Sequence, residues 1–479
     1  MSGLTGWDWT VLVVYMTGSA ALGLYLGRRA RSVEEYFLGG RDIPWVLAAF
    51  SIVATETSTL TVISVPGLAY TGDMTFLQLA FGYVLGRIAA ALLLVPFYIR
   101  GRAETAYAYL GQRFGRAPQQ AASVLFLITR LLADGVRLFA TAIPLALMTG
   151  WSYPACILVI GAVTVVYTYV GGIRSVVWLD GIQLVLYVSG AAVALWLVLG
   201  RIGGWEGMLA SLPAGKLAVV DLGADEGIRG LFTGGYKLPA ALLGGAFLSM
   251  ASHGTDQLLV QRLLATRGLR QAQVALIASG VLVVLQFLLF LVLGAALYAA
   301  YGGVPMIGDE VFPRFIVEGL PAGLSGLLLA AIFAAAMSTL SSSLNALASS
   351  TVLDLGRRRQ GQQDRELGRG RLATLFWALV LVGFAMLFRS QDNPVVEVGL
   401  AIASVTYGGF LGVFLLGRLT RRPGQRAAVA AMGAGVLTGT LLALFSGIFW
   451  VWLVPLGCGV SLLTGLLAAR LVDTARPAS

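Results

Sequence analysis

The 479-residue chain is 58% hydrophobic and only 12% charged, where an ordinary soluble domain carries roughly 25% charged residues. With a mean hydropathy of +0.84 and a net charge of +10, it reads as a polytopic membrane protein, not as two or three soluble domains. Cys156 and Cys458, both in apolar segments, and a single histidine exclude a disulfide framework or a zinc site and remove most metal and acid–base catalytic schemes.

In chain order, the first apolar stretch has no basic residue before it and carries Asp8. A cleaved signal peptide has the reverse charge order, so 9–27 reads as a retained helix. Apolar segments of spanning length follow at about 43–70, 75–99, 119–148, 153–170, 176–200, 231–264 and 270–300. They continue at 324–353, 371–388, 393–417, 424–446 and 448–470, which makes thirteen. Alternate connections, together with the C-terminal tail, carry 24 of the 33 Lys and Arg. The positive-inside rule then places the N-terminus outside and the C-terminus in the cytoplasm of a cell-membrane protein. This asymmetry accounts for the net charge without any nucleic-acid partner. On the outer side, 201–230 is a Gly-rich connection, and "MIGDEVFPRFIVEGLPAG" is expected to form a short amphipathic lid helix.

Ionisable residues within spans are costly and mark function by default. In 43–70, Glu56 sits among Thr55, Thr57, Ser58, Thr59 and Thr61. Either the helix unwinds there and its carbonyls line a polar cavity, or it stays whole with its hydroxyls bonded back to its own carbonyls. Arg87 pairs internally or snorkels. Arg130, Asp134 and Arg137 share one helix face. They form either a structural network that takes in Glu56 or a guanidinium fork for a solute carboxylate. Asp180, one turn from Gln183, needs a base, a proton or a cation. His253 and Asp256, beside Gln257, read as a helix–helix hydrogen bond. Tyr407-Gly408-Gly409 either bends its helix or packs against a neighbour. In "MSTLSSSLN", Ser338, Ser341, Ser342 and Asn345 recur at i, i+3, i+4, i+7, a column of oxygens on one face. The column serves either close packing or a hard cation such as sodium. Ser343 points away and reads as packing.

The stretches "YFLGGRDIPW", "GGIRSVVWLDGIQ", "TDQLLVQR" and "LPAGLSGLLLAAIFAAAMSTLSSSLN" resemble the sodium:solute symporter family. The resemblance implies an all-α LeuT-type core of two inverted five-helix repeats, at 43–200 and 231–417. An extra N-terminal helix within 1–42, the 201–230 connection and two C-terminal helices within 418–479 complete the chain. It further implies a sodium site from Ala54, Thr57 and Ala335 (main chain) with Ser338 and Thr339 (side chains). A second site would use Asp180, Ser338, Ser341 and Ser342. Solute contacts would come from Glu56, Ser58 and Thr61, with Gln78 and the arginines Arg130 and Arg137. The sialic-acid branch of the family resembles this chain in having an arginine on the third helix of the core. Its equivalent here, counted back from Gly150 without gaps, falls at Ala133.

The expected function is therefore sodium-coupled import of a small polar organic solute by alternating access. No cofactor is expected beyond sodium as the coupling ion, the bilayer is the other partner, and a monomer suffices. One alternative couples the same fold to protons through Glu56 or Asp180. An enzyme has little to work with here, because "LPAGKLA" lacks the upstream glycine and the Ser/Thr of a phosphate loop. A channel is the remaining class.

Overall fold

In hydrocarbon every backbone N–H and C=O must be satisfied within the protein, and helices achieve this within one segment. The computed structural model describes residues 4–27, 32–223, 227–356, 363–387 and 395–472, all in helices and their connections. In chain order the helices begin with α1 (Gly6–Gly27), α2 (Val33–Leu38), α3 (Trp45–Glu56), α4 (Thr59–Thr71), α5 (Leu77–Leu93), α6 (Val95–Arg100) and α7 (Ala108–Phe114). Then come α8 (Arg116–Thr149), α9 (Tyr153–Arg201), α10 (Gly204–Ser211), α11 (Gly227–Thr233), α12 (Leu238–Thr255), α13 (Gln257–Leu264) and α14 (Leu269–Ala300). The chain finishes with α15 (Gly308–Glu318), α16 (Leu324–Ser350), α17 (Gln363–Leu387), α18 (Val395–Leu419), α19 (Gln425–Phe445) and α20 (Leu453–Val472). Among the described residues ten helices are long and apolar enough to cross a membrane, or eleven if the bent α3–α4 pair is one span.

Three departures from straight spans shape the centre. α3 and α4 meet at a bend of 69°. Ser58 is extended there (φ −91°, ψ 170°) and forms a capping box with Thr61. Its N–H turns to Thr61 Oγ1 at 3.3 Å and so does not return to the Ala54 carbonyl four residues back. Of the two readings of the Thr-rich stretch, the unwound one is found, because hydroxyls offer the backbone a local alternative to the helix. The stretch 231–264 likewise breaks, between α12 and α13, with Asp256 capping α13 by accepting from the Leu258 N–H at 2.9 Å. In α9, Gly172 adopts φ 55°, ψ −154°, a region essentially reserved for glycine. A Cβ there would also lie 2.2 Å from the Tyr36 carbonyl oxygen. The 49 residues of α9 thus divide where two spans, 153–170 and 176–200, were expected.

Close backbone approach does the packing that water cannot drive in a membrane. At Gly86 of α5 a Cβ would sit 2.1 Å from the Ala246 carbonyl of α12. α18 runs unbroken through Tyr407-Gly408-Gly409, so the bend considered there gives way to packing against α19 and α20. α16 is buried along almost its whole length. α1 holds its N-terminal end: Asp8 Oδ1 accepts from the Gly323 and Gly326 N–H groups at 2.8 and 2.7 Å, placing a carboxylate at the positive end of α16. The expected lid helix is α15, which lays Val311, Phe312, Phe315 and Ile316 inward and packs against α4.

Candidate transport site

Two hydrogen bonds fix the α3–α4 break against α16. Thr59 Oγ1 donates to the Ile332 carbonyl at 3.1 Å, and the Thr55 and Ser342 hydroxyls meet at 3.0 Å. In chain order Thr57 falls between those two pins on one side, and Ala335, Ser338 and Thr339 on the other. The Thr57 hydroxyl is held by the Gln286 amide of α14 at 2.9 Å. Thr339 bonds back to the Ala335 carbonyl at 3.2 Å, and Ser341 to the Ser338 carbonyl at 3.1 Å. Except for Ala54, which adjoins Thr55, the residues named for a first sodium site therefore fall between two fixed contacts of the α3–α4 break with α16.

Next to that strip, Asp180 of α9 is wholly buried. Its Oδ1 accepts from Ser338 Oγ at 2.6 Å and its Oδ2 from Ser51 Oγ at 2.5 Å. Facing them is Arg262 of α13, also wholly buried, with Nη2 3.5 Å from Asp180 Oδ2. Arg262 donates from Nε to Ser51 at 3.0 Å and from Nη2 to Ser342. Asp180, Ser338 and Ser342 are thus gathered as expected, while the hydroxyl of Ser341 turns to its own helix. Sequence reasoning missed Arg262, because "QRLLATRGLR" reads as a basic cytoplasmic connection. The available signal was an arginine lying inside 231–264, a stretch of spanning length in which an ionisable residue is costly.

Above the break lies a cavity of about 430 Å³ lined by Glu56, Ser58, Thr61, Arg130, Arg137 and His253. Aromatic rings of Phe76, Tyr83, Tyr236 and Phe287 supply much of its remaining wall. The cavity reaches Thr71, Asp309 and Trp450, at the end of the bundle that carries the 201–230 connection. Gln78 is not in the wall and corrects an expectation. Its amide donates to the Tyr236 carbonyl at 2.7 Å and accepts from the Asp221 N–H at 3.2 Å, so it ties α5 to the connection before α12. Asp221 itself bonds Lys237 at 2.8 Å and the Gly223 N–H, and these hold its carboxyl below the usual range.

The charges that one of the two readings joined in a single network form two. Glu56 Oε2 pairs with Arg87 of α5 and faces His253 Nε2 at 3.6 Å, and Arg87 donates to Ser279 at 2.7 Å. Separately, Arg130 binds Asp256 and Tyr407, with Asp134 Oδ1 at 3.3 Å, and Tyr407 donates to Asp256 at 2.8 Å. His253 and Asp256 therefore serve different partners instead of bonding one another. Ser343, expected to be packing, donates to Asp134 at 2.6 Å. Each helix break carries a carboxylate, and an arginine from another helix neutralises it.

The other end of the site is sealed. Gln261 donates to Asn345 at 2.7 Å, Gln257 to Ser349 at 3.1 Å, and Asp354 accepts from Thr105 at 2.5 Å and Gln119 at 2.8 Å. The oxygen column of α16 thus continues downward as a polar zipper against α13 and the segment before α7.

Residues 36–435 match the sodium:solute symporter family, a family of transporters rather than enzymes. The sodium/sialic acid symporter NanT of Aliivibrio fischeri is 28% identical, over 90% of this chain and 86% of its own. The human sodium/iodide cotransporter is 29% identical, over 91% of this chain and 70% of its own. A Na+-coupled sialic acid symporter solved in a substrate-bound outward-open state superposes with a TM-score of 0.88 at 25% identity, covering 99% of each chain. The nucleobase-cation symporter Mhp1 in a closed conformation shares the fold, with a TM-score of 0.59 at 16% identity, covering 92% of this chain and 95% of its own. Multi-pass, all-helical and built around two broken helices, the chain belongs to the sodium:solute symporter family.

Proposed function

We propose that this protein is a sodium-coupled symporter that imports a small polar organic solute by alternating access. The observation that carries the reading is the α3–α4 break, pinned along the hydroxyl face of α16 by Thr55 and Thr59. Sodium enters there as a co-transported substrate, held by the carbonyls of Ala54, Thr57 and Ala335 and the hydroxyls of Ser338 and Thr339. A second ion would take Asp180, Ser338, Ser341 and Ser342, and Arg262 competes with it for the same carboxylate. The solute occupies the cavity above, against Glu56, Ser58, Thr61 and Arg137.

In this reading the thirteen spans comprise the extra helix α1, two inverted five-helix repeats and two closing helices. The N-terminus is outside and the C-terminus in the cytoplasm of the cell membrane, and one copy suffices for transport. The cavity then faces outward, and the α13–α16 zipper is the closed cytoplasmic gate. Sodium bridging α3 and α16 holds the outward state, and its loss frees the two helices to separate. Proton coupling is the weaker reading, because Glu56 and Asp180 each already face a guanidinium group instead of standing as lone carboxylates.

Solute uptake by proteoliposomes with sodium replaced by potassium tests the coupling; unchanged uptake would sink it. Ser338→Ala is expected to raise the half-saturating sodium concentration about tenfold, equivalent to about 1.4 kcal/mol, at an unchanged maximal rate.

A further inference from the structure

The ion pairs around the cavity are asymmetric in a way the coupling reading leaves unused. In the Glu56–Arg87 pair the glutamate side chain is 21% exposed and the arginine 0%. In the Arg137–Asp134 pair the arginine is 17% exposed and the aspartate 2%. Each pair shows one partner to the cavity and hides the other, and the two exposed partners have opposite sign. Both exposed groups also retain bonding capacity. Glu56 uses Oε2 for Arg87 and His253, while its Oε1 accepts from none of the described residues. Arg137 has only the 3.8 Å approach to Asp134 and donates no hydrogen bond to the described residues. By contrast, Arg130, also in the wall, has both terminal nitrogens engaged by Asp256, Tyr407 and Asp134.

We infer that the solute is a zwitterion, with its carboxylate at Arg137, its ammonium group at Glu56 and an apolar body among Phe76, Tyr83 and Phe287. The inference rests on the symport reading and names the substrate class of the same cavity. The fixed charges on the wall cancel, so a monovalent ion of either sign gains one contact and loses its hydration with nothing at its other end. A molecule carrying both charges replaces both hydration shells at once, and charge-assisted bonds form at both poles. The rings in the same wall offer apolar surface to the body of the solute, and a cavity of about 430 Å³ lies within the usual range for small-molecule sites.

The test is thermal unfolding of the detergent-purified protein in sodium or potassium chloride of equal ionic strength. The probes are the standard amino acids, their methyl esters (no carboxylate), the matching deaminated acids (no amine), sialic acid and glucose. At least one amino acid should stabilise the protein in sodium with an affinity tenfold or more above its ester and its deaminated acid. Glu56→Gln should narrow the gap to the deaminated acid, and Arg137→Gln the gap to the ester. Stabilisation of each variant by sodium alone certifies its fold. The inference is overturned if the best ligand is a monocarboxylate, sialic acid or glucose, if no amino acid binds, or if the variants leave both gaps unchanged. Binding that is equally strong in potassium would instead remove the sodium coupling and leave the zwitterion standing.

Discussion

Arg262→Met is expected to cost about 3–5 kcal/mol of stability, the usual penalty for leaving one member of a buried pair alone. The variant keeps Asp180 fully buried with only hydroxyls facing it: Ser338 at 2.6 Å, Ser51 at 2.5 Å and Thr55 at 3.5 Å. A carboxylate among hydroxyls is a hard-cation site once the guanidinium has left. Sodium should therefore stabilise Arg262→Met more than it stabilises the parent protein. The double variant Arg262→Met/Asp180→Asn should recover much of the loss and lose the added sodium response. Thermal unfolding in a sodium series separates these outcomes. A single variant as stable as the parent, with an unchanged sodium response, would show that Arg262 is not the counter-ion of Asp180.

Arg130→Met should be comparably severe, because this one side chain joins three helices. It ties Asp134 on α8 to Asp256 at the α12–α13 break and to Tyr407 on α18. Without it Asp256 stays buried with no cation beside it and Asp134 keeps only Arg137 at 3.8 Å, and the loss again falls at about 3–5 kcal/mol. Uptake should fall more than stability alone predicts, since the break shaped by Asp256 would no longer be held against α8. Tyr407→Phe removes one hydroxyl from the same cluster and should cost about 1 kcal/mol. Measuring both variants by unfolding and by uptake distinguishes a keystone from a bystander: equal losses for the two would argue against the role given to Arg130.

Much of this architecture was legible because membrane folding makes its rules stark. Apolar length marked the spans, and Thr55 to Thr61 marked the first break, since few arrangements tolerate so many hydroxyls and a carboxylate in one apolar helix. The oxygen face of α16 was equally plain from its i, i+3, i+4, i+7 spacing. What escaped were pairings between helices far apart in sequence. Nothing local to Glu56 points to Arg87 rather than Arg130, and nothing local to Gln78 says that its amide is claimed by the 201–237 segment. Arg262 was hidden by its neighbourhood, because a basic residue near Arg267 and Arg270 resembles a loop charge until α13 is seen to run inward. Ser343 was misread for a related reason. Its face of α16 looks apolar until Asp134 arrives from α8.

Around the two breaks, Glu56, Asp134, Asp180 and Asp256 are matched by Arg87, Arg130, Arg137 and Arg262 within salt-bridge distance. The unloaded core carries no net charge through the field, so the return of the empty carrier should be indifferent to membrane voltage. With a solute of no net charge, the coupling ion alone feels the field, and each sodium crossing gains roughly 2.3 kcal/mol per 100 mV. Voltage steps in sodium-free medium should then evoke no transient charge movement from the protein, and adding sodium should create one. A transient that persists without sodium would mean that the matched charges are not what the membrane potential sees.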